Sequence, residues 1–271
     1  MRNLFENRWV LVTGASSGLG AELARRMAEH GAHLVLTARS RDRLEELAQD
    51  LRRVNGTRTH VVPVDLADPD GAATLARTVR ELGVPIAHLV NNAGIGSAGA
   101  FAELDAARES SLVELNVAAI VRLTRALLPG MLAAGDGGVL NVASTVAFQP
   151  VPYMATYAAT KAFVVSFTLG LATELEGSGV RVMALCPGPV RTGFQAAAGI
   201  ERPGLPIAVL SAQRTVELAL AAYARGERLF VPGVVNGLQV GAARLLPRGL
   251  TAWATKRTMQ RLGRAPKRLR G

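Results

Sequence analysis

The sequence predicts an α/β domain built on a doubly wound parallel sheet with helices on both faces. Three observations carry that expectation. Short β runs alternate with helical patterns along the first two thirds of the chain, the rhythm of βαβ units. Each run is close to continuously apolar, as strands covered on both faces are. The first run ends in a glycine turn that opens directly on a helix.

The elements follow in order. Val10-Leu11-Val12 is the first strand, and a helix through Leu23, Ala24, Met27 and Ala28 follows the turn Thr13-Gly14-Ala15-Ser16-Ser17-Gly18-Leu19-Gly20. Gly31 closes that helix, and residues 32–37 form the second strand. A charged helix covers about 40–54, a third strand 59–64 ends at Asp65, and another helix spans about 70–82. The fourth strand, 86–90, runs into Asn91-Asn92-Ala93-Gly94. A long helix covers about 106–128, a fifth strand 138–144, a helix carrying Tyr157 and Lys161 continues to Leu175, and a sixth strand covers 180–185. A seventh strand leads to Val231-Pro232-Gly233, and two further helices are expected in 234–271, the second over about 250–262.

The 271 residues suit one large α/β domain, and 49% hydrophobic with 19% charged residues excludes a disordered chain. One cysteine, Cys186, excludes an internal disulfide and a cysteine metal site. It lies in the apolar run 182–186 and reads as a buried, inert thiol. His30, His33, His60 and His88 lack zinc-like spacing, so no metal is expected. The N-terminal residues lack a signal-peptide core, and no uninterrupted apolar run reaches membrane-span length, so a cytoplasmic protein is expected. The net charge of +10 resides in the tail: no Asp or Glu follows Glu227, and ten Lys/Arg lie from Arg228 onward.

The chemistry centres on Tyr157 and Lys161, four apart on one helix face, with Ser144 thirteen residues before the tyrosine. A phenol beside an ammonium can run acid/base chemistry on an alcohol or carbonyl, the ammonium lowering the phenol's pKa. Gly14, Gly18 and Gly20 let a backbone approach a pyrophosphate at a helix N-terminus. At the end of the second strand stands Arg39, where an acidic residue would favour NAD(H). Its guanidinium suits a 2′-phosphate, so NADP(H) is preferred over NAD(H). Asp65 is placed to accept from an adenine amino group, and Asn92-Ala93-Gly94 to let a ribose lie close. All fall at the carboxyl ends of strands, where open α/β sheets bind ligands.

Over about residues 8–194 these motifs, with Asn116 and Pro187-Gly188-Pro189-Val190-Arg191-Thr192, resemble the short-chain dehydrogenase/reductase family. The resemblance implies a Rossmann-type domain over 1–233 and a basic helical extension over 234–271, similar to the acyl- and lipid-carbonyl-reducing branch. It implies that Tyr157 is the proton donor or base, that Lys161 holds the nicotinamide ribose and depresses the tyrosine pKa, and that Ser144 orients the substrate oxygen. Asn116 would anchor a proton-relaying water, and Ser16, Ser17, Leu19, Leu66, Val190 and Thr192 would join the cofactor contacts. It also implies a homodimer or homotetramer and a small carbonyl or alcohol substrate.

Residues 95–101, 147–154 and 194–210 are the expected substrate loops, and Phe148, Val151, Pro152, Met154, Phe194, Leu205, Ile207, Val209 and Leu210 suggest an apolar acyl, steroid-like or terpenoid substrate. A non-catalytic NADP(H)-binding scaffold or redox sensor is the alternative. Three readings of the basic tail stay open: a peripheral contact with an anionic membrane, a cover for the active site or a partner subunit, or a solvated or nucleic-acid-touching segment. No nucleic-acid module is visible, and no nucleic-acid partner is expected.

Overall fold

The computed structural model describes residues 4–190 and 209–261. Seven strands form one sheet: β1 (Trp9–Thr13), β2 (His33–Thr37), β3 (Thr59–Val61), β4 (Ile86–Asn91), β5 (Gly137–Val142), β6 (Val180–Leu185) and β7 (Leu229–Phe230). All neighbours pair in parallel, in the order β3-β2-β1-β4-β5-β6-β7. The order reverses between β1 and β4, which opens a crevice at their carboxyl ends.

Alternation along each strand divides the core in two. Val10 and Val12 of β1 face one layer, with Leu23 and Met27 of α1 (Gly18–Glu29), Leu44 of α2 (Arg41–Asn55) and Val216 and Tyr223 of a helix over 212–224. Trp9 and Leu11 face the other, with Leu75 of α3 (Gly71–Glu81) and Leu123. Each β1 residue is buried, which explains why the run contains no polar alternation. His88 lies in this core, its Nε2 donating to the Leu4 carbonyl at 3.3 Å and its Nδ1 accepting from the Tyr223 hydroxyl at 3.0 Å. Burial pushes its pKa down to about 4, and the Leu4 carbonyl only partly opposes that shift.

Four boundaries differ from the sequence expectation. The long helix is α4 (Ala106–Val113), a π turn (Glu114–Ala118) and α5 (Ala119–Ala134). It passes through Pro129, where a stop was expected; Pro129 is exposed, so water can solvate the carbonyl its missing N–H leaves free. β3 ends at Val61, short of Asp65: it lies at the sheet edge, and Pro63 has no N–H to donate. The pairing fades through two further bonds, Val62 N to Leu36 O and Val64 N to Ala38 O. β5 ends at Val142, so Ser144 caps a 3-10 turn over Thr145–Phe148 and lies outside the strand.

A helix that the sequence reading missed is α7 (Ala212–Ala224). Its signal was present: Ser211 caps it, accepting from Arg214 N at 3.1 Å, and Val216, Ala219, Leu220 and Tyr223 form its buried stripe. After α6 (Ala155–Glu174), the two expected tail helices are α8 (Val234–Leu245) and α9 (Arg248–Arg261). The spans 106–134 and 155–174 are apolar and long enough to cross a membrane by composition, yet both pack on the sheet.

Candidate active site

The glycine turn is built by exclusion. Gly14 has φ +65°, and a Cβ there would stand 2.8 Å from Asn92 Nδ2 and 2.9 Å from Ala93 Cα. A Cβ on Gly20 would run into the Gly14 carbonyl oxygen, so the first turn of α1 can sit against the loop only without one. Asn92 donates through Nδ2 to the carbonyls of Thr13 (3.0 Å) and Gly14 (3.2 Å). Thr13 Oγ1 donates to Val90 O and accepts from the backbone N–H groups of Asn92 and Ala93. The side chain of Asn92 therefore ties β4 to the turn, a different task from the open ribose seat its motif suggested. Ser16, Ser17, Gly18 and Leu19 remain partly or fully exposed, and no side chain caps α1 at Ser17. Backbone N–H groups at this helix N-terminus are thus free to meet a pyrophosphate, and the turn fits a dinucleotide.

The residues expected to meet an adenosine follow β2 and β3. Arg39 is exposed two residues beyond β2. Arg25 and Arg43, which the sequence reading did not single out, line a cleft with Ala15 and Ser16. Asp65 is exposed and accepts the Ala67 N–H at 2.9 Å. The Leu66 side chain is buried in the core layer beside Leu11, so only its backbone can meet a cofactor. Val190 is buried and bridges Leu210, whereas Thr192, Phe194, Leu205 and Ile207 lie outside the described residues.

The expected acid/base group assembles from three elements. α6 carries Tyr157 and Lys161, both buried. Ser144, at the cap of the 3-10 turn, hydrogen-bonds the Tyr157 side chain. The turn itself is fixed by Thr145 N donating to Pro187 O at 3.0 Å. Lys161 Nζ donates to the Val142 carbonyl at 2.8 Å and stands 5.8 Å from the centre of the Tyr157 ring. A Cβ on Gly94 would lie 3.5 Å from that Nζ and 3.1 Å from Asn116 Oδ1, so Gly94 keeps the space between them open.

Asn116 sits inside the π turn and is fully buried. Its Oδ1 accepts from Ile95 N at 3.1 Å, and its Nδ2 donates to Ile95 O (2.9 Å) and Thr160 Oγ1 (3.2 Å). The extra backbone residue of a π turn re-aims a side chain within a helix, here toward β4 and α6. Beneath it a polar ladder missed from sequence joins Thr124, Asn91, Asn141 and Thr168. It fastens β4 to β5 and both to their covering helices.

Electrostatics correct one expectation. Burial pushes Tyr157 up to about 12, and the Ser144 hydrogen bond only partly opposes it. Burial pushes Lys161 down to about 8. Desolvation of both groups outweighs the lowering expected from their pairing. Cys186, pushed up to about 12 by burial, is the inert thiol expected.

Around the phenol lies an apolar wall of Leu112, Val151, Met154 and Ala158, with Ile95, Ala98 and Val146 against it. Met259 of α9 packs on the same cluster, so one part of the tail covers the catalytic side. Tyr153, at φ +67°, accepts from Gly99 N at 2.9 Å and joins two expected substrate loops. Glu109, one turn before Leu112, has both carboxylate oxygens buried without a hydrogen-bond partner among the described residues.

Comparison with known proteins agrees with this geometry. The family model for short chain dehydrogenase matches residues 8–202. A sulfoacetaldehyde reductase 2 of Chromohalobacter salexigens is 37% identical over 187 residues, covering 68% of this chain and 73% of that protein. Among solved structures, a short-chain dehydrogenase from Sphingobium yanoikuyae in complex with NADPH is 36% identical with a TM-score of 0.79, covering 89% of this chain and 96% of that one. One from Burkholderia phymatum in complex with NAD is 26% identical with a TM-score of 0.79, covering 88% and 93%. A glycine turn at the sheet's switch point and a serine beside a buried tyrosine and lysine thus meet in one crevice, and the chain belongs to the short-chain dehydrogenase family of nicotinamide-dependent oxidoreductases.

Proposed function

We propose that this chain is an NADP(H)-dependent reductase or dehydrogenase that interconverts an apolar ketone or aldehyde and its alcohol, with Tyr157 as the acid/base. The observation that carries the reading is the hydrogen bond between Ser144 and Tyr157 above a buried Lys161. Both hydroxyls can donate to one substrate oxygen, which fixes its place and stabilises the negative charge that develops on it. With its pKa near 12 the phenol is protonated at neutral pH, the form that donates in reduction. Lys161 stands next to the space kept by Gly94, where it can bind a ribose hydroxyl and replace the proton the tyrosine gives up. Asn116, beside it, holds the backbone of Ile95 and so positions that floor.

When bound in the crevice, NADP(H) supplies or removes the hydride. Gly14, Gly18 and Gly20 with the α1 N-terminus would hold its pyrophosphate and Arg39 its 2′-phosphate; the NADPH complex of the Sphingobium relative supports this choice. The preference for an apolar substrate rests on Leu112, Val151, Met154 and Met259 about Tyr157. A homo-oligomer through α4–α5 and α6 is supported by exposed Val113 and Leu132 and by the stacked Phe163–Phe167 pair. The test is a panel of acyl, steroid-like and terpenoid carbonyls followed by NADPH absorbance. Tyr157→Phe should lower turnover on order of 10²–10⁴-fold while NADPH binding persists; full turnover in the variant would refute the mechanism.

A further inference from the structure

We propose that the outward face of α8 and the start of α9 docks on an anionic lipid surface, beside the apolar cluster around Tyr157. The spacing of α8 separates two faces. Asn236 and Val240 point inward and are buried, whereas Val234, Leu238 and Leu245 are 81%, 70% and 88% exposed. A helix on a soluble surface places polar residues there. Leu246, Leu250 and Trp253 continue the exposed apolar run across the joint into α9. Single exposed leucines mean little. Here seven of the twelve exposed large hydrophobic side chains among the described residues fall within positions 234–253, and such a concentration marks an interaction surface.

Charge selects the occupant. Arg248, Lys256 and Arg257 are exposed along α9, and no Asp or Glu follows Glu227. In a two-fold contact with a second copy, the patch would meet itself, cation against cation with no acid to neutralise either. A nucleic acid would match the charges but leave the Val234–Leu238–Leu245 stripe in water. An anionic lipid surface takes both, burying the stripe at the acyl boundary and pairing the cations with headgroups. The guanidinium of Arg257 lies 4.2 Å from the Trp253 ring, an aromatic–cation pair suited to that depth.

The opposite side of these helices borders the catalytic crevice. Arg244 stacks over Phe148 at 5.6 Å, Asn236 fills the space beside Gly188, and Met259 packs on the cluster around Tyr157. A docked molecule therefore holds the apolar cluster around Tyr157 next to the bilayer. Docking itself stands apart from the catalytic reading; only the delivery of substrate from lipid rests on it.

The test is sedimentation of the full chain with vesicles of phosphatidylcholine alone or mixed with phosphatidylglycerol. Binding is expected to the mixed vesicles only, to fall in high salt, to weaken on the order of tenfold in an R248Q/K256Q double variant, and to be lost in L238D/L245D. All four substituted side chains are exposed, and unchanged thermal melting and NADPH affinity confirm that the variants fold. The proposal is overturned if the wild type ignores anionic vesicles or L238D/L245D binds them as well as the wild type. It is equally overturned if the patch substitutions dissociate an oligomer without changing lipid binding, or abolish salt-dependent DNA binding in a protein that does not bind lipid. Vesicle binding without turnover keeps the docking and removes the enzymatic reading; turnover without vesicle binding does the reverse.

Discussion

Replacing Lys161 with methionine should make the free protein more stable while abolishing its turnover. The lysine is 4% exposed, and burial lowers its pKa from 10.5 to about 8. At about 1.4 kcal/mol per pKa unit, holding the ammonium in the fold near neutral pH costs at most roughly 3 kcal/mol. Methionine has a similar length and no charge, but it leaves the Val142 carbonyl without its donor, a loss of about 1 kcal/mol. The net gain is roughly 1–2 kcal/mol. The folded pKa lies below the unfolded one, so the wild type's penalty is absent above 10.5, where the lysine is neutral in both states. It grows as pH falls toward about 8 and is constant below. The advantage of Lys161→Met should therefore be full at neutral pH and shrink as pH rises beyond about 8. Urea unfolding of both proteins at neutral and alkaline pH measures the gap. A variant less stable at neutral pH, or a gap that does not change with pH, would refute the argument that the fold carries this charge at a cost.

Arg39→Ala should weaken NADPH binding by about ten- to a hundredfold and barely change NADH, as the loss of one charge-assisted contact predicts; equal losses in paired titrations would count against Arg39 as the 2′-phosphate ligand. Gly20→Ala should cost about 2 kcal/mol in unfolding experiments and lower NADPH affinity, because its Cβ meets the Gly14 carbonyl and backbone must move. His88 is held neutral, with its folded pKa near 4 against 6.5. Its contribution is complete above 6.5 and is lost as pH falls toward 4, by at most roughly 3 kcal/mol. His88→Gln should flatten the slope of stability against pH in that window, and an unchanged slope would assign it to other groups.

The motifs were legible because each is local. A strand, a glycine turn and a helix N-terminus lie within Trp9–Gly20, and Tyr157 and Lys161 share one helix face, so spacing alone places them. The sheet was legible for the same reason: every βαβ unit repeats one short pattern of apolar runs. The unexpected α7 carries the same kind of signal, a serine cap and an apolar stripe.

What the sequence by itself determined, then, is the parallel sheet, the glycine turn at its switch point and the residues of the expected acid/base group. Tertiary structure decided how these side chains are used. Asn92 became a tie between β1 and β4 because Thr13 and Gly14 present their carbonyls to it. Asn116 reaches Ile95 and Thr160 through a π turn that no residue spacing announces. Tyr157 is raised and Lys161 lowered because desolvation depends on everything packed around a group, including Met259, about a hundred residues away. Local spacing cannot report that burial, since the atoms that exclude the water come from distant parts of the chain.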